Sequence, residues 1–194
     1  NLNSYEKVKV EASKKRILDC LRVGEKLGCK SVVIHPGYYG KMSKEESYNN
    51  IKKVVIELME EIKKNKWKVK LCVETMGKVN VFGSISDIKG LVKETGCSFC
   101  LDFAHLKART NGKMSYKEMV SEFSEFKDWH CHFSGIVYGD KGEKHHILTP
   151  KSELKELLSA LKSIKDKCNI TIINESPDPV KDSVESVKIW DEMN

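Results

Sequence analysis

Apolar positions along the chain alternate between two kinds of pattern. Five short β-rich runs recur, Ser31–His35, Val69–Glu74, Ser98–Asp102, Trp129–His132 and Ile170–Glu175, most of them apolar at consecutive positions. Such runs predict parallel strands buried on both faces. Between them the spacing changes to that of helices. Tyr48, Ile51, Val55, Leu58, Met59 and Ile62 form one stripe, and Ile88, Leu91, Val92 and Leu154, Leu157, Leu158, Leu161 begin two others. Ser43-Lys-Glu-Glu46 and Ser115-Tyr-Lys-Glu118 read as capping boxes. Thr149-Pro150 and Asp178-Pro179 place a cap before a proline at the first helical position, and Gly28 and Gly96 stand where helices end.

The predicted order is one helix followed by five strand–helix units, which calls for an α/β fold with a parallel sheet and right-handed crossovers. An open doubly wound sheet and part of a (β/α)8 barrel both satisfy it. No glycine-rich phosphate motif follows any strand, so a nucleotide-binding sheet loses ground. No linker or low-complexity stretch interrupts the pattern, and residues 1–194 read as one domain.

Composition narrows this only slightly. The 194 residues carry a net charge of +6, which a lysine-rich solvated surface explains as readily as a face for a polyanion. No apolar run approaches the roughly 18 residues of a spanning helix. Seven cysteines, odd in number and with Cys72, Cys100 and Cys131 inside apolar runs, argue against a disulfide framework and for a reducing, cytoplasmic setting. Cys97 and Cys100 have the C-x-x-C spacing but no second pair to complete a zinc site.

The chemistry lies at the strand ends. The five runs finish in His35, Glu74, Asp102, His132 and Glu175. At the C-terminal end of a β/α barrel these would share one active-site mouth. Asp102-Phe-Ala-His105 adds a ligand-type residue one helical turn on, and Glu143-Lys-His145 would point two more the same way if extended. So many carboxylates gathered without cations would be costly, and imidazole mixed with carboxylate suits zinc, manganese or iron. The number of ligands suggests two or three ions.

The segments Val33-Ile-His35-Pro-Gly37, Cys72-Val-Glu74-Thr-Met-Gly77, Cys100-Leu-Asp102-Phe-Ala-His105, Cys131-His132-Phe-Ser, Glu143-Lys-His145-His146 and Ile173-Asn-Glu175-Ser-Pro177 occur in this order. Together they resemble endonuclease IV, the metal-dependent apurinic/apyrimidinic endonuclease of base-excision repair, and archaeal-type members most. The resemblance implies a partial TIM barrel built from its fourth to eighth strands, starting at Asn1-Leu2-Asn3 with the first three strands, their DNA-penetrating loops and a further zinc-ligating histidine lacking. It implies up to three zinc ions, with manganese possible. Glu74 would be the catalytic residue, bridging two ions. His35 would ligate the first; Asp102, His132 and Glu175 the second; His105, Glu143 and His145 the third. His146 would take the place of His145 if the loop turned differently, and His130 would be a packed or supporting neighbour of His132.

The same resemblance implies hydrolysis of the phosphodiester 5′ to an abasic site in double-stranded DNA, by a monomer when full length and with no membrane partner. Lys78, Lys141 and Lys144 are the candidate DNA contacts, with Lys107 and Arg109 behind them. Two alternatives stand beside it. Glu74, Asp102, His132 and Glu175 also look like the metal quartet of xylose-isomerase-like sugar isomerases and epimerases, and a shortened barrel would be a catalytically impaired DNA-binding fragment.

Overall fold

A computed structural model describes residues 1–193. Along the chain run α1 (Lys7–Lys26), β1 (Ser31–Ile34), α2 (Lys44–Lys64), β2 (Lys70–Glu74), α3 (Ile85–Thr95), β3 (Ser98–Asp102), α4 (Phe103–Arg109), α5 (Tyr116–Glu122), β4 (Asp128–Phe133), β5 (Gly135–Gly139), β6 (Gly142–Ile147), α6 (Lys151–Lys162), β7 (Asn169–Asn174) and α7 (Pro179–Glu192). The strand order is β1-β2-β3-β4-β7, and the pairings β1–β2, β2–β3 and β4–β7 are parallel. This is the strand sequence of a partial β/α barrel. The hairpin β5–β6 forms a separate antiparallel sheet, and the predicted pattern did not contain it.

The chain divides into two compact units. Residues 1–76 and 80–100 form the first, and residues 77–79 with Leu101 onward form the second. In the first unit, Ile51, Val55 and Leu58 of α2 are fully buried, as are Leu21 of α1 and Ile88 and Leu91 of α3. Phe82, also fully buried, meets the Tyr39 ring edge-on and the Tyr48 ring at a tilt, at centroid distances of 6.0 and 6.1 Å. In the second unit, Phe103, Phe123, Cys131, Leu157 and Leu161 are buried, and the Tyr116 ring meets Phe103 and Phe133 edge-on.

Helix ends follow the sequence with two exceptions. Ser115 and Glu118 form the full reciprocal box, Ser43 accepts from the Glu46 amide, and Asp178 caps α7 ahead of Pro179. Gly28 and Gly96 both have the positive φ that ends a helix cheaply only for glycine. Thr149, however, does not cap α6, whose N-cap position is Pro150. Its hydroxyl accepts from the Gly135 amide and its own amide donates to Asp182, so it joins the hairpin to α7 instead. A further capping box at Ser84 and Asp87 starts α3.

Candidate metal centre

Each candidate ligand sits where its strand stops. In the first unit Glu74 closes β2 and is 2% exposed, while His35 follows β1 with its side chain largely open to solvent. The His35 Nε2 lies 3.1 Å from a Glu74 carboxylate oxygen. Backbone bonds from Thr75 to Cys100 and from Met76 to Gly83 hold the chain that leaves β2.

The second unit holds the larger set. Asp102 ends β3 and caps α4, accepting from the His105 amide at 2.7 Å. The first turn of α4 then carries the His105 ring back, so that its Nδ1 lies 3.3 Å from the other Asp102 oxygen. The spacing Asp-x-x-His thus does what the sequence suggests: one cap fixes two ligands. His132 is the penultimate residue of β4, and its Nδ1 lies 3.2 Å from Glu175, which the Phe133 carbonyl fixes just beyond β7. Asp102, His132 and Glu175 each offer a ligand atom within 4.8 Å of one another.

A second group is formed by His105, Glu143 and His146, again within 4.8 Å of one another. Here the structure differs from the expected spacing. The hairpin register pairs Val137 with His145 but Tyr138 with Glu143, so Lys144 is an extra residue in β6. Strict alternation would put Glu143 and His145 on one side. A bulge shifts the alternation by one, and His146 rather than His145 joins Glu143, leaving His145 exposed. The Nε2 of His105 lies 3.5 Å from Glu143, and the His105 and His146 rings meet edge-on at 5.5 Å.

Glycine makes this approach possible. The segment Gly77–Val79 lies along the hairpin, with Glu143 donating to the Gly77 carbonyl and Val79 to that of Lys141. A Cβ on Gly77 would come within 2.8 Å of the Glu143 Cβ and 3.1 Å of His105 Cδ2. The guanidinium of Arg109 donates to the Lys78 carbonyl at 2.6 Å, which pins the same segment.

These residues fit a metal by their donor chemistry. Within the second unit three carboxylates and three imidazoles converge, with Asp102 wholly buried and His105 and His132 nearly so. Such charge is held in a protein interior by cations rather than by burial alone. Neither the Asp102–His132–Glu175 group nor the His105–Glu143–His146 group includes a cysteine. Burial pushes the Cys97 thiol up to about 11 and raises that of Cys131 further, with the Asp102 charge adding to the effect. All seven cysteines are free thiols.

The remaining candidates divide. Lys78, Lys141 and Lys144 are exposed on the hairpin and the segment beside it. Lys107 is ion-paired with Glu153 at 2.7 Å and lies over the Tyr116 ring, and Arg109 holds the Lys78 backbone, so both have structural tasks. The His130 ring packs on His132 at 5.4 Å. Two residues with evident roles were not foreseen, Ser134 and Gly77, although both stand inside the motif segments themselves.

Comparison with known proteins bears on the fold and the family. The family model described as a xylose isomerase-like TIM barrel matches residues 1–193. An uncharacterized protein of Methanocaldococcus jannaschii is 37% identical over the whole of this chain, which spans 74% of its length. A D-tagatose 3-epimerase-like protein superposes with a TM-score of 0.71 at 21% identity, covering 97% of this chain and 71% of its own. An IOLI protein solved with a zinc atom gives 0.70 at 18% identity, covering 98% and 73%. An AP endonuclease, family 2, from Brucella melitensis gives 0.60 at 14%, covering 89% and 66%. At these identities the structural matches establish the fold. No helix among the described residues is long and apolar enough to cross a membrane. By its sequence match and its strand order, the chain belongs to the xylose isomerase-like TIM barrel family.

Proposed function

We propose that this protein is a zinc-dependent DNA-repair endonuclease that hydrolyses the phosphodiester 5′ to abasic sites. The observation that carries the reading is the His105–Glu143–His146 group, a second ligand set beyond the four strand-end residues that a sugar isomerase of this barrel needs. Asp102 serves both sets, since it caps the helix that presents His105 and also stands with His132 and Glu175. In the first unit, Glu74 and His35 are paired at the ends of β2 and β1 and are metal ligands in this reading.

Bound zinc supplies Lewis acidity, which makes water nucleophilic at neutral pH and offsets charge on a phosphate. The protein's own residues do the rest. The Glu74 carboxylate orients the attacking water and accepts its proton. Lys78, Lys141 and Lys144 bind backbone phosphates of a DNA duplex, the source of most non-specific affinity. Water adds to phosphorus, the bond from phosphorus to the 3′ oxygen breaks, and that oxygen leaves as a hydroxyl. The free cysteines suit a reducing cytoplasm, and the proposed protein works there as a monomer.

A sugar isomerase or epimerase reading has one observation in its favour, the D-tagatose 3-epimerase-like fold neighbour. Metal analysis separates the two. The nuclease reading expects two or more zinc ions per chain; one manganese or magnesium ion per chain, with turnover of a ketose, would replace it with the sugar reading.

A further inference from the structure

We infer that His146 is the hairpin's metal ligand, through Nε2, and that Ser134 is the positioning residue that makes it one. The inference rests on the metal centre of the proposed function and assigns two residues within it.

Three observations converge on it. The first is register: the bulge at Lys144 puts Glu143 and His146, three apart in sequence, on one side of the hairpin. Bulges beside active sites commonly re-aim a side chain in this way. The second is a specific bond. The hydroxyl of Ser134, a residue 1% exposed, lies 2.6 Å from Nδ1 of His146. With Nδ1 carrying the proton and the serine oxygen accepting it, the lone pair is left on Nε2, the form in which imidazole ligates a metal. Ligating histidines are typically held at their other nitrogen by such a partner. The third is origin. Ser134 lies two residues beyond His132, just past the end of β4, so the chain leaving the strand that supplies one ligand also orients a ligand of the other group.

The extra residue Lys144 decides that His146, and not His145, shares a side with Glu143. Deleting it would restore regular alternation and leave Glu143 and His146 two apart, still on one side. His145, exposed on the hairpin, takes no part.

The test is cobalt(II) and zinc(II) titration of the full chain and of His146→Gln, His145→Gln, Glu143→Gln and Ser134→Ala, with circular dichroism to confirm folding. His146→Gln and Glu143→Gln should each lose one metal equivalent and its visible cobalt band. His145→Gln should keep both. Ser134→Ala should weaken that equivalent about 10- to 100-fold and shift the band, as loss of an orienting partner does, while Ser134→Thr restores it. Deletion of Lys144 should retain the equivalent. Loss of it in His145→Gln with retention in His146→Gln would overturn the inference alone. If Glu143→Gln and the parent chain bind the same number of ions, the inference falls together with the metal reading beneath it. Metal binding as expected without any cleavage of DNA would instead leave the inference standing and remove the nuclease reading.

Discussion

Replacing Gly77 by alanine presses directly on two candidate ligands of the second unit. The added Cβ would stand 2.8 Å from the Glu143 Cβ, 3.0 Å from a Glu143 carboxylate oxygen and 3.1 Å from His105 Cδ2. Ordinary carbon contacts begin near 3.4 Å, so Glu143 must retreat by about 0.6 Å, or the Gly77 strand must leave the hairpin. Neither move is free. The Gly77 carbonyl accepts from the Glu143 amide, and the adjoining Gly142 approaches that carbonyl so closely, at φ +91°, that it too tolerates no side chain. Overpacking of this kind costs about 1–3 kcal/mol in the metal-free chain. Metal sites tolerate ligand displacements of only about 0.2 Å, so zinc affinity should fall at least tenfold. Urea denaturation of the metal-free protein and zinc competition with a chromophoric chelator measure the two effects separately. Gly90→Ala, whose Cβ would press on the Tyr48 side chain in the first unit, is the control and should lower stability without weakening zinc. Unchanged zinc affinity in Gly77→Ala would refute the packing of Glu143 and His105 described above.

Other consequences are equally direct. Phe82→Ala empties a fully buried site in the first unit and should cost about 3–5 kcal/mol in denaturant unfolding. Burial alone would raise the Asp182 pKa, but the bond from the Thr149 amide, with the Thr149 and Ser176 hydroxyls nearby, holds it below the usual carboxylate value. Its contribution is therefore present above about pH 4 and lost as pH falls through the lower folded-state value. Asp182→Asn should destabilise the protein by about 1.5–3 kcal/mol at pH 7, with the difference from the parent shrinking in acid. Lys141→Ala and Lys144→Ala should each reduce the salt dependence of DNA binding by about one counterion, measured by fluorescence anisotropy from low to moderate salt.

Much of the site was legible because barrel chemistry lies at strand ends, where a run of apolar residues stops at a polar one. Glu74 and Asp102 close their strands, His132 is one residue short, and His35 and Glu175 are one residue beyond. The Asp102–His105 pairing was legible as well, because a helix cap enforces it locally. What one sequence does not display is register. Gly135–Gly139 has only three apolar residues between its glycines and Gly142–Ile147 is mostly polar, and their pairing is not displayed by either segment alone. Gly135 must come close to the Leu148 carbonyl and Gly142 to that of Gly77, and between these two fixed points β6 has one residue too many. The bulge absorbs it, and His146 is brought round where His145 was expected. Thr149 shows the same limit at smaller scale: a plausible cap by local rules, it is drawn to Gly135 and Asp182 by the tertiary fold.

The central claim is that the metal centre serves phosphodiester hydrolysis at an abasic site. The direct measurement is the position and end chemistry of the cut in a labelled duplex bearing one abasic site, with zinc and with chelator. The account predicts a single cut on the 5′ side of the lesion that leaves an extendable 3′-hydroxyl, abolished by chelator, restored by zinc and absent in Glu74→Gln. A duplex left intact by the zinc-loaded protein, or a cut on the 3′ side that chelator does not affect, would contradict it.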